Sequence, residues 1–197
     1  MASGLTYLQS LREALHTLLA DDPRTLVLGE DILDPYGGAF KVTQGLSSRF
    51  PDRVLTTPIS EAAIVGMSVG LALRGRRPIA EIMFGDFVAL AADQLINHAA
   101  KYAAMYNGEV SVPLVVRAPM GGGRGYGPTH SQSLERLFLG IPHLRVLAAA
   151  HVHDAGALLQ AAVADDDPVL FVENKLLYPQ PLLLASATPL AGSGALH

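Results

Sequence analysis

Leucines at Leu8, Leu11, Leu15, Leu18 and Leu19 share one stripe, which predicts a helix over 7–20. Asp21-Asp22-Pro23 ends it. Thr25 to Leu28 is a short apolar run closed by Gly29, the pattern of a buried strand. Asp34-Pro35-Tyr36-Gly37-Gly38 has the chemistry of a loop. Val54 to Thr56 reads as a second strand, and Glu61 to Leu73 as a helix with Ser60 as its N-cap. A basic turn, Arg74 to Arg77, leads into a strand from Pro78 to Met83. Asp86 to Tyr106 predicts one long helix that stops at Asn107-Gly108. Leu114 to Ala118, Arg145 to Leu147 and Val169 to Val172 are further strands, with a helix from His153 to Ala164 between the last two.

The strands are continuous apolar runs that alternate with helices. That is the mark of a mostly parallel sheet covered on both faces. The predicted fold class is α/β: a doubly wound, mostly parallel sheet with helices on both faces, over about residues 5–178. The domain is expected at 1–180. Residues 181–197, rich in Pro, Leu, Ala, Ser and Gly, read as a tail or truncated linker.

Composition narrows the function. The chain has 197 residues, 50% hydrophobic and only 16% charged, with a net charge of -4. Such a chain builds a core, so global disorder is excluded. An acidic balance without a basic patch argues against nucleic acid. Cysteine is absent, which removes disulfides, thiolate metal sites and a cysteine nucleophile. No signal peptide pattern is visible, and no apolar run approaches the ~20 residues of a membrane span. A cytoplasmic setting is expected. The low charge fits either a surface buried in another subunit or a compact Ala/Leu-rich monomer.

In a sheet of this kind ligands sit beyond the carboxyl ends of the strands. Thr57 to Glu61, Phe84 to Phe87 and Met120 to His130 fall there. Glu61 stands at a helix start beside Ile59, Ala62 and Ile64. A carboxylate there either complements the helix dipole or, once desolvated, shares a proton with a ligand nitrogen. Phe84 and Phe87 suit the core or the face of a heteroaromatic ligand. GGGRGYGPTH lacks both the P-loop pattern and the dinucleotide fingerprint. Its glycines permit close approach of backbone to a ligand or partner, or simply form a mobile surface loop. His130 ends that loop, on the ligand side, where an acid/base or anion-stabilising role is credible. The other histidines have no such context, and no metal-ligand spacing or GxSxG elbow occurs.

Five ordered blocks now carry a resemblance: TTPISEAAIVGMSVGLALRGRRPIAEIMFGDF, DQLINHAAKY, VPLVVRAPMGGG, THSQSLERLFLGIPHLRV and DDPVLFVENKLLY. Together they resemble the pyrimidine-binding domain of thiamine diphosphate enzymes of the transketolase superfamily. They are most similar to the beta chain of the decarboxylating component of 2-oxoacid dehydrogenases. The resemblance implies that Glu61 hydrogen-bonds the aminopyrimidine of thiamine diphosphate, with Ile59 beside it. It implies that Phe87 packs on that ring and that His130 lies near the substrate. It also implies a potassium site built mostly from backbone carbonyls, at Leu114, Ala162, Val163, Asp165 and Asp167.

The departures are as informative. The family's magnesium-diphosphate half is marked by GDG, and the only Gly-Asp here, Gly85-Asp86, is followed by Phe87. The family's C-terminal domain has no counterpart in this sequence. The resemblance therefore implies half a cofactor site, completed by an alpha-type chain that holds magnesium, in a heterotetramer that serves a lipoyl acyltransferase or other acyl carrier. The expected reaction is decarboxylation of a 2-oxo acid and acyl transfer. A transketolase-type ketol transfer is the alternative, with Arg117, Arg124 and Arg136 as phosphate-gripping candidates. A non-catalytic regulatory or scaffolding subunit is a third reading.

Overall fold

The computed structural model describes residues 4–183. Among these, six strands form one parallel sheet: β1 (Thr25–Gly29), β2 (Val54–Thr56), β3 (Arg77–Glu81), β4 (Val115–Met120), β5 (Arg145–Ala149) and β6 (Val169–Asn174). Their spatial order is β2-β1-β3-β4-β6-β5. β1 and β4 are buried along their whole length, which is why they read as apolar runs, interrupted in β4 only by the buried Arg117. The doubly wound expectation holds.

Two helices, α1 (Tyr7–Asp21) and α5 (Ala155–Ala164), cover one face. The stripe Leu11, Leu15 and Leu19 is fully buried there, worth roughly 1.5–3 kcal/mol per side chain. α1 opens with a capping box in which Thr6 and Gln9 satisfy each other's backbone N–H. Gly156 lets α5 press on α1, since a Cβ there would lie 2.4 Å from the Ser10 carbonyl oxygen. A short α2 (Leu46–Arg49) follows the loop after β1. The opposite face is covered by α3 (Glu61–Leu73) and the segment from 85 to 105.

That segment departs from the single helix expected over Asp86–Tyr106. It runs as 3-10 turns over Gly85–Ala91, a π-helix over Gln94–Ala99, and α4 (Ala100–Met105). Two local causes are visible. Gly85 sits so close to β4 that a Cβ would lie 2.2 Å from Met120 Cγ, so the entry is set by packing. Asp93 gathers the side chains that follow: Gln94 Nε2 at 3.1 Å, Asn97 Nδ2 at 2.8 Å, and His98 Nδ1 at 3.3 Å from its carbonyl. Such spacing favours the wider turn. The last helix starts at Ala155 rather than His153, because Asp154 caps it through the N–H groups of Gly156 and Ala157. Ser60 occupies the N-cap position of α3, yet its hydroxyl makes no capping bond.

The two ends of the described chain meet. Tyr7 N–H donates to the Gln180 carbonyl at 2.9 Å, and Leu182 N–H to the Leu5 carbonyl at 3.0 Å. Leu182 is buried, so the expected tail begins as a packed segment. Its remainder, 184–197, lies outside the described residues. Among the described residues no helix is long and apolar enough to cross a membrane.

Candidate active site

β1 and β3 approach so closely at their carboxyl ends that a Cβ on Gly29 would lie 2.7 Å from the Glu81 carbonyl oxygen. The next residue, Glu30, is 5% exposed and its Oε1 has no hydrogen-bond partner. Burial, then the charges of Glu61, Asp31 and Glu81, push its carboxyl up to about 7. Sequence reading missed Glu30. The available signal was a carboxylate directly after the first strand, at the ligand end of the sheet.

Glu61 begins α3 and is only 6% exposed. The helix N-terminus favours its negative charge, and the neighbouring Glu30 carboxylate opposes it. Thr57 Oγ1, just after β2, and Asp86 Oδ2, in the turns after β3, are also buried without partners. These orphaned polar atoms at the strand ends fit a ring with hydrogen-bonding nitrogens. Ile59, at the other extreme, stands 82% exposed and open to a ligand or partner.

α3 packs on the Gly85–Ala91 turns, which in turn touch the turn Pro128–His130. Phe87 and His130 meet edge-to-face with ring centroids 5.1 Å apart, and Phe84 meets His130 at 4.7 Å. His130 Nδ1 lies 2.9 Å from Thr129 Oγ1, which leaves Nε2 as its other polar end. The loop is anchored on both sides. Asp86 Oδ1 accepts from Gln132 N–H at 3.1 Å and from its side-chain amide at 2.9 Å. The Lys175 ammonium donates to the His130 carbonyl, and burial holds that amine below its usual range.

Behind this surface lies a buried ionic network. Arg117, fully buried on β4, donates to Glu173 at 2.6 and 2.9 Å and to Glu81 at 2.6 Å. Tyr178 donates its hydroxyl to Glu173 at 2.7 Å. Burial disfavours the Arg117 cation, but the charges of Glu173 and Glu81 outweigh it and hold the guanidinium protonated. One cation faces two carboxylates, and burial pushes the Glu81 carboxyl up. Arg117 is therefore a structural ion-pair partner and not a phosphate-gripping candidate. Arg136 is exposed on the turn Glu135–Phe138.

The carbonyl set expected for potassium is claimed by protein donors. The Arg77 guanidinium donates to the Val163 carbonyl at 2.7 Å and the Asp165 carbonyl at 3.0 Å. The Leu114 carbonyl accepts from Val169 N–H at 2.8 Å, and Ala162 from Asp165 N–H at 3.3 Å.

The sequence profile described as "Transketolase, pyrimidine binding domain" matches residues 3–181, and the chain belongs to that family. It is 44% identical over 177 residues to the 2-oxoisovalerate dehydrogenase subunit beta of Bacillus subtilis, covering 89% of this chain and 54% of that one. It is 42% identical over 187 residues to the acetoin:2,6-dichlorophenolindophenol oxidoreductase subunit beta of Cupriavidus necator, covering 90% and 55%. It is 44% identical over 176 residues to the pyruvate dehydrogenase E1 component subunit beta of Leifsonia xyli subsp. xyli, covering 89% and 52%. The chain thus spans about half the length of these curated relatives. A solved structure of a split gene transketolase, an inactive beta4 tetramer, shares the fold with a TM-score of 0.68 at 23% identity, covering 87% of this chain and 52% of that one.

Proposed function

We propose that the chain supplies the aminopyrimidine half of a thiamine diphosphate site in an enzyme that decarboxylates a 2-oxo acid and transfers the acyl unit. The observation that carries this is Glu61, buried at the start of α3 beside the partnerless carboxylate of Glu30, at the carboxyl ends of the sheet. When bound, the cofactor would supply a carbon nucleophile for attack on the 2-oxo carbon and take up the electron pair left when the adjacent bond to the carboxylate breaks. Glu61 holds a hydrogen bond to the pyrimidine nitrogen, and its water-poor setting keeps the shared proton from exchanging with solvent. Phe87 gives the ring a flat apolar surface, and Ile59 closes over it. His130, free at Nε2, donates to or accepts from the substrate.

Magnesium belongs to the partner in this reading. Among the described residues no cluster of three or more His, Asp or Glu is disposed to hold a metal. An alpha-type chain carrying the diphosphate half completes the site, in a heterotetramer that passes its product to a lipoyl acyltransferase or similar carrier. Exposed Ile59, Met67, Leu90 and Leu139 are the kind of surface such a chain covers. A cytoplasmic setting accords with the absence of cysteine.

The test is reconstitution with the partner chain. Glu61→Ala is expected to abolish turnover of the complex while leaving the circular dichroism and thermal midpoint of this chain near those of the parent. Near-normal turnover refutes the assignment. Product analysis with 2-oxo acids against ketose phosphates separates acyl from ketol transfer.

A further inference from the structure

A cavity lies outside the proposed reaction. A concavity of about 420 Å³ lies where α1, the loop after β1 and the Gly-rich loop meet. Its lining includes Gln9, Arg12, Phe40, Lys41, Arg124 and Tyr178. The volume is that of a small-molecule site.

Its charge is one-sided. Three lining side chains are cations and none is a carboxylate. Arg12, Lys41 and Arg124 form no ion pair among the described residues, as is true of most of the chain's cations; what sets these three apart is that they line one concavity. This happens in a chain whose net charge is -4. α1 adds to the imbalance, because it starts at this rim, at Thr6, with no acidic residue in its first turn.

The three cations are held in place by neutral groups. Arg12 donates two bonds to the Lys41 carbonyl, one from Nε at 3.1 Å. Lys41 has φ of 64°, a left-handed conformation that costs a non-glycine residue energy. Its ammonium donates to the Tyr36 carbonyl at 2.6 Å and lies 3.7 Å from the centre of that ring. Arg124 donates to the Lys175 carbonyl at 3.0 Å and lies over the rings of Phe40 and Tyr126. Phe40 stacks on Tyr178 at 5.1 Å, giving the concavity a rigid aromatic wall. Fixed cations over aromatic rings are an arrangement that needs little reorganisation to take an anion.

We propose that this concavity binds a small phosphoryl anion through Arg12, Lys41 and Arg124. A phosphoryl group matches the set better than a monocarboxylate does, since it carries up to two charges and accepts forked bonds from guanidinium groups. The site is independent of the thiamine diphosphate reading, because it uses none of Glu61, Glu30 or Phe87. It is nonetheless linked to the loop that ends at His130. Arg124 holds the Lys175 backbone, and the Lys175 ammonium holds the His130 carbonyl. An anion that fixes Arg124 also restrains residues 121–132.

Isothermal titration of the full chain with pyrophosphate at low ionic strength tests this. The expected result is saturable binding near one per chain, with Kd of about 10⁻⁴ M, weakened about fivefold or more by Lys41→Met and by Arg124→Gln. Arg74→Gln, at an exposed position outside the concavity, is expected to leave it unchanged. Hydrogen exchange is expected to slow across 121–132 when pyrophosphate is added to the parent chain, and not in Lys41→Met. Absence of saturation, equal weakening by Arg74→Gln, or unchanged binding in both concavity variants overturns the proposal. Tighter binding of citrate than of pyrophosphate overturns the phosphoryl class.

Discussion

Replacing Glu30 with Gln isolates the energetic consequence of a buried acid. The folded carboxyl titrates near 7 against 4.5 for an ordinary glutamate, so the folded chain binds this proton more tightly than the unfolded one. Its contribution to stability is therefore complete below about 4.5 and is lost as pH rises through 7. The displacement corresponds to about 3 kcal/mol across that window, and about 2–3 kcal/mol between pH 5 and pH 8. Gln is an uncharged near-isostere, so Glu30→Gln is expected to match the parent at pH 5 and exceed it by about 2–3 kcal/mol at pH 8. Urea denaturation of both proteins at pH 5, 6, 7 and 8, followed by circular dichroism, measures the difference. A constant offset at every pH, or a variant less stable than the parent at pH 8, would show that Glu30 carries no such burden. The same substitution in the reconstituted complex is expected to shift the pH profile of turnover rather than only its height.

Other perturbations probe the scaffold and the ion sites. Arg117→Ala strands two buried carboxylates and is expected to cost about 3–5 kcal/mol or prevent folding. Adding Glu81→Gln and Glu173→Gln to an Arg117→Met chain should recover part of that loss in urea midpoint. Gly85→Ala drives a methyl into Met120 and is expected to cost about 1–3 kcal/mol, with partial recovery by Met120→Ala, read as thermal midpoints. The midpoint should be the same in potassium chloride and choline chloride of equal ionic strength. A saturable, potassium-specific rise would show that the carbonyls around Arg77 accept a second cation.

The sheet was legible because the central strands are mostly apolar on both faces, a pattern that survives in one sequence as a run such as Leu26 to Leu28. Glu61, Phe87 and His130 were legible through their place after strands and through the family resemblance, and the structure links their elements in series. What stayed hidden depends on tertiary partners. A 3-10 turn, a π-helix and an α-helix differ by one residue in hydrogen-bond reach, so apolar spacing between Asp86 and Tyr106 does not separate them. Arg117 looked like a free cation because Glu81 and Glu173 are 36 and 56 residues away along the chain. Glu30 was passed over because only folding places Glu61 and Glu81 close enough to affect its proton.

The meeting of the chain ends has a topological consequence. With Leu5 bonded to Leu182 and Tyr7 to Gln180, entry and exit of the domain lie side by side at one edge of α1. Leu183 N–H donates to the His151 carbonyl at 2.8 Å, two residues past the carboxyl end of β5, so the exit lies on the ligand side of the sheet. The same adjacency makes the order of the elements dispensable. Joining the two ends by a short flexible linker and opening the chain at Asn107-Gly108, an exposed turn, is expected to give a circular permutant with the parent's circular dichroism.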